Sequence, residues 1–226
     1  MVRISKRMKQ AREVVDTKKE YSLEEAIEKI DKFPKVNFDE SVELHFSLRI
    51  NPKSSDQTVR GTVVLPHGVG KKIRIAVFCK GELEQKAKEA GADIVGADDL
   101  VEKVLKGFLG FDVVVAAPDM MRSISKLGRI LGPRGLMPTP KAGTVTMDIA
   151  KAIKEIKSGK IEFKSDKQGG IHVGIGKRSF PKQHLLENAT HLINAINEAK
   201  PATVKGHLIK SMFLTTTMGP GLKVSI

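Results

Sequence analysis

The sequence predicts an α/β protein of two domains, a split α+β sandwich domain made from both chain ends and an inserted three-layer α/β/α domain. Near both ends, apolar and polar residues alternate with a period of two, as in strands with one buried face. Between them, the segments 73–78 and 111–117 are apolar apart from Arg74 and Asp112 near their starts, as in parallel strands covered on both faces. The predicted domains are 1–67 with 160–226, and 68–159. Three consecutive small domains are the alternative, although each end piece is short for a core of its own.

The first third of the chain begins with a helix and continues as strands. Ser22 and Glu25 have the spacing of a capping box, and Pro34 ends the helix that the box opens. Alternation from 42 to 50 then predicts a strand, with Glu43, His45 and Ser47 on its polar side. A second strand is predicted over 59–65. The turn between the two strands predicts that they pair as a hairpin.

The rest of the chain changes pattern twice. The middle part alternates short elements, with strands at 73–78, 94–95 and 111–117 and helices at 82–90, 100–106 and 149–156. The last part returns to alternation, with a strand through 171–175, a helix opened by Ser179 and Pro181, and strands at 208–217 and 222–226. Met218-Gly-Pro-Gly221 joins the last two strands.

The stretch Gly128–Lys141 is predicted to be a stiff loop, because it holds three glycines and three prolines. It lies in the window 120–147, which contains five basic residues and no acidic one. A kinked, positively charged loop of this length is typical of a binding loop. Glycines and prolines that only make turns are the alternative.

The charge balance indicates a polyanionic partner. The chain has 39 Lys and Arg against 26 Asp and Glu, a net charge of +13. Nucleic acid is the first candidate and an anionic membrane surface the second. No apolar run approaches the roughly 18 residues of a membrane span, which argues against insertion. Cys79 is the single cysteine, so it fits a reducing, cytoplasmic setting and is predicted to be buried.

Catalytic, metal and cofactor motifs are missing from the sequence. Its six histidines show no HExxH spacing, and there is no second cysteine to complete a zinc site. The glycine-lysine segments 68–72 and 174–178 lack the full phosphate-loop motif, and no GxGxxG follows the strand at 73–78. We therefore expect a protein that is not an enzyme and needs no cofactor. An enzyme that uses the middle domain on a nucleotide is the alternative.

The aromatic content narrows the kind of nucleic acid. Aromatics make up 4% of the chain, with no tryptophan, so stacking on successive single-stranded bases is disfavoured. Folded RNA read through backbone, 2′-hydroxyls and shape fits better. Hydroxyls at Ser211 and at 215–217 lead into a glycine turn whose amides can meet sugars and phosphates. The alternative for the threonines is that they are present only because they favour strands. The alternative for the whole protein is a general basic DNA-binding or chaperone-like protein. The basic arm 1–12 contacts phosphate or is a solvated helix face.

Four segments in order, Phe38–Glu43, Leu127–Pro138, Phe163–Lys167 and Thr215–Gly221, resemble the ribosomal L-one family, in particular its bacterial branch. These are the large-subunit proteins of the lateral stalk beside the tRNA exit site. The resemblance implies a Rossmann-like inserted domain and binding to a folded stalk of large-subunit rRNA. It also implies help in releasing deacylated tRNA from the exit site. It further implies repression of the protein's own operon through an mRNA site that mimics the rRNA site.

The resemblance also implies the RNA-binding residues, which are Phe38, Ser41, Glu43, Lys164, Lys167, His172, Ser211, Thr215, Thr217, Met218, Gly219 and Gly221. Secondary RNA or tRNA contacts are expected from Arg129, Arg134 and Lys141. Asn37 stands where bacterial relatives often have a basic residue, which puts one phosphate contact in doubt. The expected setting is cytoplasmic and ribosome-associated, with a monomer off the ribosome and no membrane partner.

Overall fold

The computed structural model describes residues 4–16, 19–51 and 55–225. Its α-helices are α1 Lys6–Val14, α2 Leu23–Asp31, α3 Glu82–Glu89, α4 Asp98–Leu105, α5 Met121–Ile124, α6 Gly128–Leu131, α7 Ile149–Lys157 and α8 Lys182–Glu198. Its strands are β1 Glu20–Tyr21, β2 Ser41–Leu48, β3 Arg60–Val64, β4 Ile75–Phe78, β5 Ile94–Gly96, β6 Val113–Ala116, β7 Lys160–Lys164, β8 Gly170–Lys177, β9 Ile209–Thr216 and β10 Leu222–Val224. The predicted mixed α/β class is confirmed.

The chain divides into two compact units. The end unit comprises Met1–Gly70 with Ile161–Ile226, and the middle unit comprises Lys71–Lys160. The domain boundaries expected from sequence fall after residues 67 and 159. Within the described ranges, no helix combines the length and apolar composition that crossing a membrane requires.

The end unit is built on a five-stranded sheet in the order β1-β10-β9-β2-β8. All its pairs are antiparallel except β1 with β10. Along β2 the burial alternates at every residue, as predicted, so Val42, Leu44 and Phe46 point into the core. They share that core with side chains of α2 and α8 such as Ile30 and Leu192. The helices therefore cover one face of the sheet and leave the other face for polar groups.

The predicted hairpin of the first two strands is wrong. Strand β3 does not pair with β2 but with β7, in a separate two-stranded sheet. Both edges of β2 are already occupied, by β8 on one side and β9 on the other. Gly61 allows the β3–β7 contact, since a Cβ there would lie 2.6 Å from the ring of Phe163. Part of the predicted turn, 52–54, lies outside the described residues, and Ser55–Gln57 forms a 3-10 turn.

The middle unit has three layers, as the continuous apolar strands predicted. Strands β5, β4 and β6 form a parallel sheet, and β4 is buried along its whole length. One apolar cluster joins the sheet to α4 and to the segment through Leu131, and a second joins it to α3 and α7. Cys79 is fully buried in the second cluster, as predicted.

The prediction of a loop throughout Gly128–Lys141 is wrong at its start. The first four residues form the short helix α6, whose Leu131 is fully buried in the apolar cluster with α4. Gly128 lies at the beginning of this helix and Gly132 just after it, so neither glycine has to be accommodated in a helix interior. Beyond it the chain is irregular except for a 3-10 turn at Pro140–Ala142.

A buried asparagine attaches the segment after β3 to α8 within the end unit. The Asn188 side chain is fully buried and donates to the carbonyl oxygens of Gly68, at 2.9 Å, and Ile175, at 2.8 Å. Its oxygen accepts from the backbone N–H of His67 at 3.2 Å. One side chain therefore satisfies three backbone groups of two segments that have no strand pairing with each other.

We expect Asn188→Ala to lower the free energy of unfolding of the end unit by about 2–4 kcal/mol, because three buried backbone groups lose their partner. The matched control is Asn194→Ala on the exposed side of α8, expected to change stability by less than about 0.5 kcal/mol. Tyr21 is the only tyrosine, the chain lacks tryptophan, and Tyr21 lies in the end-unit core. Urea denaturation followed by tyrosine fluorescence therefore reports on this unit. Equal effects of the two variants would contradict the assignment.

Candidate nucleic-acid interface

The uncovered side of the five-stranded sheet, here called the polar face, presents side chains of β2, β8 and β9. Their neighbours along each strand point into the core, so the alternation of the sequence decides which side chains reach this face. The polar side chains of this face include Ser41, Glu43, His45, Ser47, His172, Ser211 and Thr215, five of which were predicted site residues. The partly buried ring of Phe213, the register partner of His45, lies on the same side of the sheet.

The end of the polar face carries two exposed apolar side chains. Phe38 precedes β2 and is 53% exposed, and Met218 follows β9 and is 43% exposed. Between them, the backbone N–H of Ser41 donates to Thr217 Oγ1 at 2.9 Å, and the N–H of Thr217 donates to the carbonyl oxygen of Ser41 at 3.0 Å. This pairing continues the β2–β9 ladder by one residue and holds the turn beside the polar face.

A buried carboxylate positions that turn. Glu40 is 2% exposed, and its Oε1 accepts from the backbone N–H of Met218 at 3.0 Å and from Thr216 Oγ1 at 3.1 Å. Its Oε2 accepts from Arg178 Nη1 at 2.7 Å. Arg178 Nη2 in turn donates to the carbonyl oxygen of Phe33 at 2.6 Å. The carboxylate thus connects the start of β2, the end of α2 and the turn after β9.

The two predicted glycines of the turn differ in what the protein itself requires. A Cβ at Gly219 would lie 2.4 Å from Thr216 Oγ1 and 3.1 Å from the ring of Phe33, so only glycine fits. A Cβ at Gly221 would meet its nearest neighbour, Thr215, at 3.4 Å, an ordinary contact. The packing of the protein therefore requires glycine at position 219 but has room for a Cβ at position 221.

The basic arm is helical from Lys6 onward. Ser5 caps α1, and Arg7 Nη1 donates to the carbonyl oxygen of Met218 at 2.7 Å. Arg7 therefore binds the carbonyl group of the same residue whose N–H donates to Glu40. Arg3, also part of the predicted arm, lies outside the described residues.

The predicted phosphate-binding lysines lie at the β7–β8 connection. Lys164 ends β7 and Lys167 follows it in the turn, and both are exposed. Between them, Asp166 Oδ2 lies 3.7 Å from His172 Nε2, which places this turn beside the polar face. Asp166 Oδ1 accepts from the backbone N–H of Gly170, and it also accepts from that of Gln168. These bonds, the first above all, lower the pKa of Asp166 and keep its carboxylate charged.

The three predicted secondary residues belong to the middle unit and are exposed. Arg129 lies on α6, Arg134 lies in the irregular segment after it, and Lys141 lies in the 3-10 turn at Pro140–Ala142. They are not part of the polar face. Within the described ranges, no cluster of three or more His, Cys, Asp or Glu side chains is arranged to hold a metal ion.

Sequence reasoning missed His45, Glu40 and Arg178. The signal for His45 was present, since the alternation of β2 put it on the polar side between Glu43 and Ser47. Glu40 gave no such signal, because an acidic residue that immediately precedes a strand is usually solvated. Its burial depends on Arg178, which follows β8 and is distant in sequence.

Comparison with known proteins now identifies the family. The model of the ribosomal protein L1p/L10e family matches residues 28–220. The chain belongs to this family. Its match to the Large ribosomal subunit protein uL1 of Protochlamydia amoebophila is 54% identical over 226 residues, which is 100% of this chain and 96% of the relative. The uL1 proteins of Thermosipho melanesiensis and Kosmotoga olearia are 52% and 51% identical, over 100% and 99% of this chain and 97% of each relative.

Membership in the L1p/L10e family confirms the resemblance that the sequence motifs indicated. Its bacterial members are ribosome-associated, cytoplasmic structural proteins and not enzymes, as was also predicted for this chain. The matched range includes the polar face, Phe38 and the turn as far as Pro220. Gly221 and the helix that carries Arg7 lie outside it.

Replacing Glu40 by Gln should destabilise the end unit by about 3 kcal/mol, because Arg178 would keep a largely buried charge without its counter-charge. The control, Glu28→Gln, changes an exposed carboxylate on α2 that lies 4.0 Å from the exposed Lys182 Nζ, and should have little effect. Tyrosine fluorescence in urea measures both. A Glu40→Gln protein as stable as the control would show that this ion pair does not stabilise the turn.

Proposed function

We propose that this ribosomal protein is a structural constituent of the large subunit that binds a folded stalk of its rRNA through the polar face and the turn at 217–221. The same surface binds the messenger RNA of its own operon and represses translation. The middle unit contributes to the release of deacylated tRNA from the exit site. The relatives named above as large-subunit proteins support the first part, together with the chemistry of the polar face.

The observation that carries the proposal is the combination of groups at one end of the sheet. Hydroxyl and imidazole groups line the polar face, and exposed Phe38 and Met218 flank its end. Hydroxyls and imidazoles can bond to 2′-hydroxyls and phosphates, while the two apolar side chains can pack on sugar edges or an unstacked base. The turn is already held by Glu40 and Arg7, so RNA binding would not have to order it.

The proposed surface carries both positive and negative side chains, and this combination suits recognition of a folded RNA. Lys164 and Lys167 would neutralise phosphates. Glu43 would accept a hydrogen bond from a 2′-hydroxyl or an exocyclic amine, a role that an acid can have on an RNA-binding surface. Asn37 is exposed beside Phe38 and brings no cation to this end of the face. Lys164 and Lys167, at the connection from β7 to β8, therefore make most of the proposed phosphate contacts.

The proposed tRNA and messenger RNA roles are supported by different observations. For tRNA, Arg129, Arg134 and Lys141 are exposed in a window without acidic residues. For messenger RNA, one surface that reads shape and sugars can bind two RNAs of similar fold. An enzyme acting on a nucleotide through the middle unit is disfavoured by membership in a structural family.

We expect Met218→Asp to weaken binding to a large-subunit rRNA stalk fragment at least about tenfold, because it replaces an apolar contact by a negative charge facing RNA. Met147→Asp is the matched control, since Met147 is 63% exposed in the middle unit. Filter binding at fixed salt measures both, with duplex DNA as competitor. Unchanged affinity for Met218→Asp would exclude the turn from the interface. Affinity for the leader of the protein's own messenger RNA should place the two variants in the same order.

Replacing Lys164 or Lys167 by Ala should each lower the slope of log affinity against log salt by about one, because one phosphate contact is lost. Lys86→Ala on exposed α3 is the control and should leave the slope unchanged. Filter binding at a series of salt concentrations gives the slopes. A lysine whose removal leaves the slope unaltered does not contact phosphate.

A further inference from the structure

Two histidines meet at the centre of the polar face. His45 on β2 and His172 on β8 are register partners, and their Nδ1 atoms lie 2.8 Å apart. At this distance one nitrogen carries the proton and donates it to the other. The rings are tilted by 56°, with centroids 5.0 Å apart, so the contact is an edge-on hydrogen bond and not a stack.

The outer ring nitrogens both face oxygen atoms. His45 Nε2 lies 2.9 Å from Thr215 Oγ1 and 3.8 Å from Glu43 Oε2. His172 Nε2 lies 3.7 Å from Asp166 Oδ2. The groups that face the pair are thus Glu43 from β2, Thr215 from β9 and Asp166 from the β7–β8 turn. Two of the three are carboxylates.

The proton count of the pair follows from these contacts. Two neutral imidazoles share two protons, one in the Nδ1–Nδ1 bridge and one on an outer nitrogen. A third proton fills the other outer nitrogen, so that both outer N–H groups point at oxygens and the bridge is kept. A fourth proton would make both Nδ1 atoms donors and break the bridge. The geometry therefore accepts one additional proton and no more.

The neutral form of His45 is favoured in the free protein. Burial lowers the pKa of His45, a positive charge on the neighbouring His172 would lower it further, and Glu43 acts in the opposite direction. A phosphate chain arriving at this face adds negative potential, which favours the positively charged form. Two carboxylates already border the pair, so the added positive charge also reduces their repulsion of RNA.

We propose that the His45–His172 pair is a proton-binding site within the RNA interface, and that RNA binding takes up one proton there. The inference rests on the proposed function, since it assigns a linked proton to that same surface. The sign is fixed by linkage: if the complex binds more protons than the free protein, affinity rises as the pH falls through the titration range of histidine.

The test uses the full chain and a large-subunit rRNA stalk fragment. For the unaltered protein, the slope of log affinity against log salt should be steeper by about one at about pH 6 than at about pH 8, because one more cation faces the RNA. Calorimetry at about pH 7, in two buffers of different ionisation heat, should show uptake of up to about one proton per complex.

The variants His45→Gln and His172→Gln should each remove the pH dependence of the slope and the proton uptake. His191→Gln, on the exposed side of α8, should keep both. Tyrosine fluorescence verifies that each variant is folded. RNA binding with the same slope at both pH values, or a difference that persists in both variants of the pair, would overturn the inference and leave the proposed function standing. No binding of the stalk fragment at either pH would overturn both.

Discussion

The ion pair of Glu40 with Arg178 is the interaction on which the candidate interface depends. It joins the end of α2 and the start of β2 to the turn after β9, which is distant from both in sequence. A buried carboxylate is costly unless its charge and all its lone pairs are matched. Here Arg178, Thr216 and the Met218 N–H supply that match. The turn that carries the exposed methionine is therefore fixed by groups that are themselves largely buried.

Much of the fold could be predicted from the sequence, because local rules and tertiary structure agree. The capping box at Ser22, the alternation of β2 and the apolar run of β4 each predicted an element that the structure contains. Strand pairing could not be predicted in the same way. The partner of β3 is decided by which edges remain free after the long strands of the two chain ends have paired, and no local pattern records this.

The part of the candidate site that could be predicted follows from the alternation of inward and outward residues along the strands and from the residue types of the turn. Glu43, Thr215 and His172 reach the polar face because each lies at an outward position of its strand. The Nδ1 contact between His45 and His172 depends on the register of β2 against β8, which the sequence does not encode locally. The same holds for Glu40. Its role follows from a partner that lies 138 residues further along the chain.

The central position of β2 has a consequence for how the protein is made. Both neighbours of this early strand come from the C-terminal part, and its contacts with Lys177 and Thr217 span 136 and 176 residues. The middle unit, by contrast, is one uninterrupted segment. During synthesis at about 5–20 residues per second, β2 must wait many seconds for its partners, with its edges open. The candidate interface thus forms only after β9 has been translated, so products that are truncated before β9 lack it.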